Sequence, residues 1–500
     1  MSGNETAPKT FEKDAKPTAV GRSRRKRLFI SCVVVVAVPI LAWCVFRIGL
    51  RAKINAELDR IRAEGYPATV EELAALYPAP ALGENAANVY RQAMAVAVTD
   101  QAAYKGLPFF ADEETAAHEE PLSPEVLSRL ESLAEDNREA LRFIYEAAAM
   151  EECRFVPDLA RVWMQPISLN GMKPWNDSVE EASECVFGMY HILAAEILLA
   201  SERKDAQRVA AASAAFWRMG GHITKDPVFR MHAGSLFVRE IHCLVLSNAL
   251  GRTELGDAEL ERIAAYLSEP FDWESFLRCA VAQRCGGSAL FTSPAGGRFA
   301  AFLNAYNRAV RQRRKKSGPP QISNLSAPVL PPPVSYRWRA LGYLDLEHFF
   351  FLRGMRQYVG QWEQQARGQE TPIVRRTGRI FGSDRGIGPL YFPFLWIFEF
   401  CWPTYYTTID SSLCMQRLAR TAVAVERFRN RNGRLPEALI ELVPTYLEEV
   451  PNDYYGDSPV RYRRLSVGYV VYSVGEDLAD DGGEQNSDIF YPDIVFRVAR

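Results

Sequence analysis

Apolar positions along this chain follow three patterns in turn. The first is an unbroken run: residues 28–46 contain no charged side chain. A helix of that length covers about 28 Å, close to a hydrocarbon core of ~30 Å, and Pro39 is tolerated inside such a helix. The second pattern fills residues 51–316, where apolar side chains recur every three or four positions, the period of a helix with one buried face. Ile54, Leu58 and Ile61 form such a stripe over 54–64, which Gly65 and Pro67 end. Thr69 and Glu72 make a capping box that opens a helix with Leu73 and Leu76 inward. Ser123 followed by Pro124 is a helix start that leads into Val126, Leu127, Leu130 and Leu133. The third pattern begins near residue 460, where Val460–Leu465, Tyr469–Val474 and Ile494–Val498 read as short strands.

The clearest helical hairpin spans 186–220. An apolar helix over 186–200 turns at 202–205 and returns over 206–219, with Gly220 and Gly221 expected to stop it. A second pair covers 228–250 and 258–267, joined by a turn at 251–256. Small Ala faces permit close helix contact, as in helical arrays. The turn with Asp205, Ala206, Ala210 and Ala214 resembles tetratricopeptide repeats, although the full 34-residue signature does not recur. Residues 317–335, rich in Pro and Ser, read as a linker, and 336–410 as a helical, aromatic connection. Within it, residues 389–402 are apolar but too short to span a bilayer, and Glu399 interrupts them. A buried segment is expected there, with contact at a membrane interface as the alternative. Beyond 411, a helix over 411–432 capped by Gly433, a short helix over 436–442 and the three strands make an α+β unit. The expected fold is therefore mainly α: a disordered basic tail (1–27), one transmembrane helix (28–50), a TPR-like helical region (51–316), the linker, the connection, and an α+β domain (411–500).

Charge orients the anchor. The net charge is −2, but residues 1–27 carry eight Lys or Arg against three acids. Arg22, Arg24, Arg25, Lys26 and Arg27 directly precede the apolar run, which places the N-terminus in the cytoplasm and the body outside. No small-residue cleavage site follows the run, so it reads as an uncleaved anchor. The acidic remainder argues against nucleic-acid binding. The basic run 308–316 lacks interleaved aromatics and reads as a solvated helix end.

Local motifs name no reaction. There is no H-E-x-x-H, G-x-S-x-G, Walker loop or G-x-G-x-x-G. The six histidines have no metal spacing, and His232 and His242 flank one apolar helix as structural residues. Cys285-Gly286-Gly287-Ser288 reads as a loop. Nine cysteines without a C-x-x-C pair read as buried thiols. No catalytic or cofactor-binding residue is nominated, and the chain is not expected to be an enzyme.

One segment does carry chemistry. Residues 476–493 hold seven acidic side chains and no Lys or Arg. Carboxylates crowded on a Gly-containing loop repel one another unless a cation sits among them, which raises Ca²⁺. The surrounding residues resemble the globular domain of the major pseudopilin of type II secretion. The resemblance rests on Ala424-Val425-Glu426-Arg427-Phe428, Asn432-Gly433, Leu435-Pro436, Glu441-Leu442-Val443, Tyr446-Leu447 and Val450-Pro451-Asn452-Asp453. Gly456, Tyr462, Tyr472 to Gly475, Asp477, Gly482-Gly483 and Asp493-Ile494 continue it. It covers under a fifth of the chain and implies a helix, a small sheet and a Ca²⁺ loop. By that resemblance Asp477, Asp480, Asp481 and Asp493 supply oxygens, with Asp488 as a further ligand and backbone carbonyls near Val474 completing the shell. The family's leader and cleavage motif and its early Glu are missing from 28–46, which argues against polymerisation into a fibre. The layout as a whole looks like bacterial envelope proteins held in the inner membrane by a single span.

These expectations define a membrane-anchored extracytoplasmic interaction or structural protein. It meets the bilayer through residues 28–46 and a protein partner on its helical region. Two alternatives differ in class: an accessory component of a type II secretion or pilus-like machine, and a membrane-bound hydrolase with a nonlocal active site.

Overall fold

The computed structural model describes residues 19–99, 101–104, 107, 122–159, 177–292, 343–367, 393–456, 458–484 and 493–500. The basic run at 308–316, the linker at 317–335, His118 and Asp488 lie outside them. The fold is mainly helical, with one small sheet near the C-terminus.

Helix α1 (Ala19–Ala63) is continuous through the apolar run. It begins inside the basic stretch, and the stripe at 54–64 is its far end rather than a separate helix. Its apolar side chains from Val33 to Ile48 are mostly exposed, whereas Leu50, Ile54 and Ile61 are buried. Among the described residues it is the helix whose apolar stretch is long enough to cross a membrane and lies exposed; the other one of sufficient length is mostly buried.

Short helices follow: α2 (Val70–Leu76), α3 (Ala86–Val96), α4 (Gln101–Tyr104), α5 (Pro124–Asp136) and α6 (Arg138–Ala148). The expected caps form. The Thr69 hydroxyl accepts from the Glu72 amide at 3.2 Å, while the Glu72 carboxylate reaches back one residue further, to the Ala68 amide at 2.7 Å. Ser123 caps α5 through the Val126 amide at 3.3 Å.

Four helices form the centre: α7 (Asp177–Glu202), α8 (Ala206–Ile223), α9 (Phe229–Arg252) and α10 (Asp257–Leu267). Helices α7 and α8 form the expected hairpin and α9 packs on both, whereas α10 packs on α8 rather than back along α9, with which the sequence paired it. Asp205 caps α8 by accepting from the Arg208 amide. Gly220 and Gly221 do not stop α8; it continues to Ile223. They are places of close approach instead: a Cβ on Gly220 would lie 3.2 Å from the Arg239 side chain of α9, and the Ser235 hydroxyl donates to the Gly220 carbonyl at 2.8 Å.

Helix α11 (Trp273–Thr292) packs antiparallel on α12 (Tyr343–Ala366), and α12 packs along α1. Cys285 to Ser288 lie within α11, not in a loop, because Gly287 admits the Phe351 ring where any Cβ would collide with it.

Helix α13 (Pro393–Asn432) starts well before residue 411 and so joins the connecting region to the C-terminal unit without a break. Gly433 ends it with φ +67°. The short helix expected at 436–442 is a 3-10 turn at Leu439–Leu442. Strands β1 (Arg461–Arg464), β2 (Tyr469–Ser473) and β3 (Ile494–Val498) form an antiparallel sheet in the order β1-β2-β3. Tyr462 faces Val471, and Val471 faces Phe496. The sheet lies on α13, which in turn packs on α9 and α10. The Asn430 amide donates to the Leu255 carbonyl at 2.7 Å, Arg427 pairs with Glu261 at 2.7 Å, and Ser247 donates to the Arg497 carbonyl. One apolar core therefore runs from Leu50 to Val498.

Candidate metal site and the buried polar centres

The acidic loop leaves β2 and returns to β3. Its side chains do not act as one group. Asp477 is exposed and accepts from the Ala479 amide at 3.0 Å, closing a local turn. Asp480 takes Arg461 of β1 at 2.8 Å, the Tyr472 hydroxyl at 3.1 Å and the Gly482 amide at 3.0 Å. Against some desolvation, those donors hold its carboxyl below the ordinary value. Both residues are thus largely satisfied without an ion.

Asp481 and Asp493 differ. Asp493 is 5% exposed; one oxygen accepts from the Gly483 amide at 2.8 Å, and the other is buried without a hydrogen-bond partner. One oxygen of Asp481 is likewise buried without a partner. Desolvation pushes the Asp493 carboxyl up, and the Asp481 and Asp480 charges add to the rise despite the Gly483 and Asp481 amides. A buried carboxylate oxygen with no donor is costly, and a cation is the usual remedy. Asp481 and Asp493 each hold one such oxygen in this loop. Among the described residues no three His, Cys, Asp or Glu side chains gather into a metal-binding group. Ca²⁺ takes six to eight oxygens, so carbonyls or water would complete the shell around this pair. The sequence therefore placed five carboxylates in one set, of which the structure leaves two with open oxygens, turns Asp477 and Asp480 elsewhere, and does not describe Asp488.

The loop is anchored by a residue that sequence reasoning did not single out for a role. Asp453 is buried beside the end of β2. It accepts from the Ser473 hydroxyl, the Val474 amide at 3.0 Å and the Tyr455 amide at 3.1 Å, and pairs with Arg461 at 3.4 Å. Arg461 thus bridges Asp453 and Asp480. No local signal reveals this, because Ser473 and Val474 lie some twenty positions away and Arg461 eight.

Three other polar centres are enclosed in the helical body. Asp226 accepts from the Phe155 amide at 2.7 Å and the Val156 amide at 3.1 Å, beside Arg154 at 3.6 Å. Burial pushes Asp226 up to about 6, opposed by Arg154. Asn85 clasps the Arg154 backbone at both its amide and its carbonyl, so the segment after α6 is tied to the start of α3 by Asn85 and to the α8–α9 turn by Asp226. The second centre is a triangle. The Ser213 hydroxyl lies 2.8 Å from His242 Nε2 and 2.8 Å from the Tyr266 hydroxyl, which is 3.2 Å from the same nitrogen. Ser213 and His242 have nucleophile–base reach, yet both are fully buried, and burial lowers His242 to about 3. The third is Ser288 with His348 at 2.8 Å. The described histidines all sit against aromatic rings, and desolvation holds every one of them below its ordinary value. They are neutral packing residues. The seven cysteines described are free thiols, six of them buried.

No protein-family model, curated protein or solved structure matches the chain.

Proposed function

We propose that the chain is a single-span membrane protein whose helical body and C-terminal α+β unit form one extracytoplasmic platform for a protein partner. Ca²⁺ seated on Asp481 and Asp493 would fasten the loop between β2 and β3. The observation that carries this reading is α1, which has an exposed apolar half and a half packed into the body. An apolar surface of that extent is costly in water and natural in a bilayer. The basic residues before it favour a cytoplasmic N-terminus. The α7–α8 hairpin with α9 stacked on it supplies the kind of face that helical arrays offer to partners. The pseudopilin-like pattern of 411–500 is what supports the envelope location.

Labelling tests the anchor and its orientation. Leu82 is 88% exposed. With a Leu82→Cys variant in bacterial spheroplasts, a membrane-impermeant maleimide should label the new thiol from outside, and alkaline carbonate should leave the chain in the membrane. Labelling only after lysis would reverse the orientation, and release by carbonate would remove the anchor.

A further inference from the structure

The way α12 lies along α1 fixes which part of the body meets the bilayer. Arg47 pairs with Asp345 at 2.7 Å, Glu57 with Arg356 at 2.7 Å, and Tyr66 feels the charge of Glu363. The offset between partners is nearly constant, so α12 runs parallel to α1 and starts level with the end of the apolar run. Helix α11 is antiparallel to α12: Trp273 lies 6.0 Å from Trp362, and Ser288 bonds His348. The C-terminal end of α11 therefore sits at that same level.

Register gives depth. Phe350 aligns with residue 52, five residues past Arg47, which is about 8 Å along the axis. The headgroup layer on each side of a bilayer is about 5–8 Å thick. Phe350 is 39% exposed and in ring contact with Phe349. One turn further from the bilayer, on the same face, is the exposed Arg353; its backbone stands about 12 Å past Arg47, but its side chain folds back and sets the guanidinium 5.8 Å over the Phe349 ring. An aromatic ring nearer the hydrocarbon and a cation nearer the phosphates is the order of a membrane-interface belt. Charge agrees with it: Arg47, Arg51, Lys53 and Arg353 lie along this stretch with Asp345, which Arg47 and Arg51 both face.

We infer that the Phe349–Arg353 turn of α12, together with Arg51, is a lipid-headgroup surface that takes acidic phospholipids. This rests on the membrane-anchored reading and adds a second lipid contact, made by the body. The test uses the full chain in nanodiscs of equal phosphatidylcholine and phosphatidylglycerol, with a photo-crosslinking amino acid at one position. Position 43 reports the span, position 350 the inferred surface, and position 82 the solvent. Lipid adducts are expected at 43 and 350 and not at 82. The adduct at 350 should be enriched at least twofold in phosphatidylglycerol, and Arg353→Glu should abolish that enrichment. Adducts at 43 without adducts at 350 overturn the inference and leave the anchor standing. Loss of both overturns the anchored reading and the inference with it. Adducts at 350 without preference overturn the acidic-lipid part.

Discussion

Gly251 of α9 lies directly against the carbonyl oxygen of Ala499, so closely that any Cβ at position 251 would overlap it. A glycine one residue before the end of α9 is thus the seat of the residue that follows β3. Gly251→Ala should destabilise the protein by about 1–3 kcal/mol, the cost of overpacking a contact with backbone that cannot step aside. Gly234→Ala is the matched comparison, because nothing lies within 4 Å of a Cβ there. In the helix interior it should be neutral, or stabilising by up to about 1 kcal/mol. Urea midpoints of the two variants decide this; equal midpoints would mean that β3 is not seated on α9.

The Asp453 carboxylate gathers four donors from three segments. Asp453→Ala would leave the Val474 and Tyr455 amides and the Ser473 hydroxyl without their acceptor, at a cost on the order of 3 kcal/mol. Asp453→Asn should cost less, since its amide oxygen retains part of the acceptor role. Limited proteolysis should cut the 476–484 loop faster in the Ala variant. An unchanged cleavage rate would show that the loop is held from elsewhere.

Metal binding at Asp481 and Asp493 predicts a change of sign. Without a cation, Asp493→Asn removes a buried charge with one unpartnered oxygen and should match or exceed the wild type in thermal stability. With Ca²⁺ in hundredfold excess over its dissociation constant, the wild type should gain about 2.7 kcal/mol and overtake the variant. Thermal scans in EGTA and in millimolar Ca²⁺ read this directly. If the order of the two proteins is the same in both buffers, the loop does not use the ion.

Burial pushes Asp410, within α13, from its ordinary 3.8 to about 7, with the Tyr454 hydroxyl opposing the rise. The folded value is the raised one. The stability linked to this group is therefore fully present below about pH 4 and is lost as pH rises through 7. Asp410→Asn should flatten that slope, standing close to the wild type at pH 4 and above it, by a few kcal/mol at most, at pH 8. Urea midpoints at the two values provide the check, and a variant that tracks the wild type at both would rule the shift out.

Local signals survived folding well. The caps at Thr69 and Ser123, the turn at Asp205, the Gly433 stop and all three strands were legible because each depends on residues within a few positions. Where glycine was read as punctuation, at Gly220–Gly221 and within Cys285–Ser288, the helices run on. There the absent side chain serves Arg239 and Phe351, which sequence spacing cannot foresee. The candidate site followed the same division. A crowded acidic loop was visible at once, but which carboxylates keep open oxygens was decided by Arg461 and Tyr472 on the neighbouring strands. Asp453, Asp226 and Asp410 owe their character to burial, and burial leaves no mark on a single sequence.

Beyond Pro39, helix α1 has no break before Ala63, and its last turns are clamped to α12. On the membrane-anchored reading proposed above, a span joined to its body by a loop would let the body swivel, whereas α1 would transmit angle. When bilayer thickness changes, a spanning helix adjusts by tilting. Here the body must lean with it, so a tilt of about ten degrees would carry its far side through several ångströms. On that reading the protein is a lever whose short arm is the apolar half of α1.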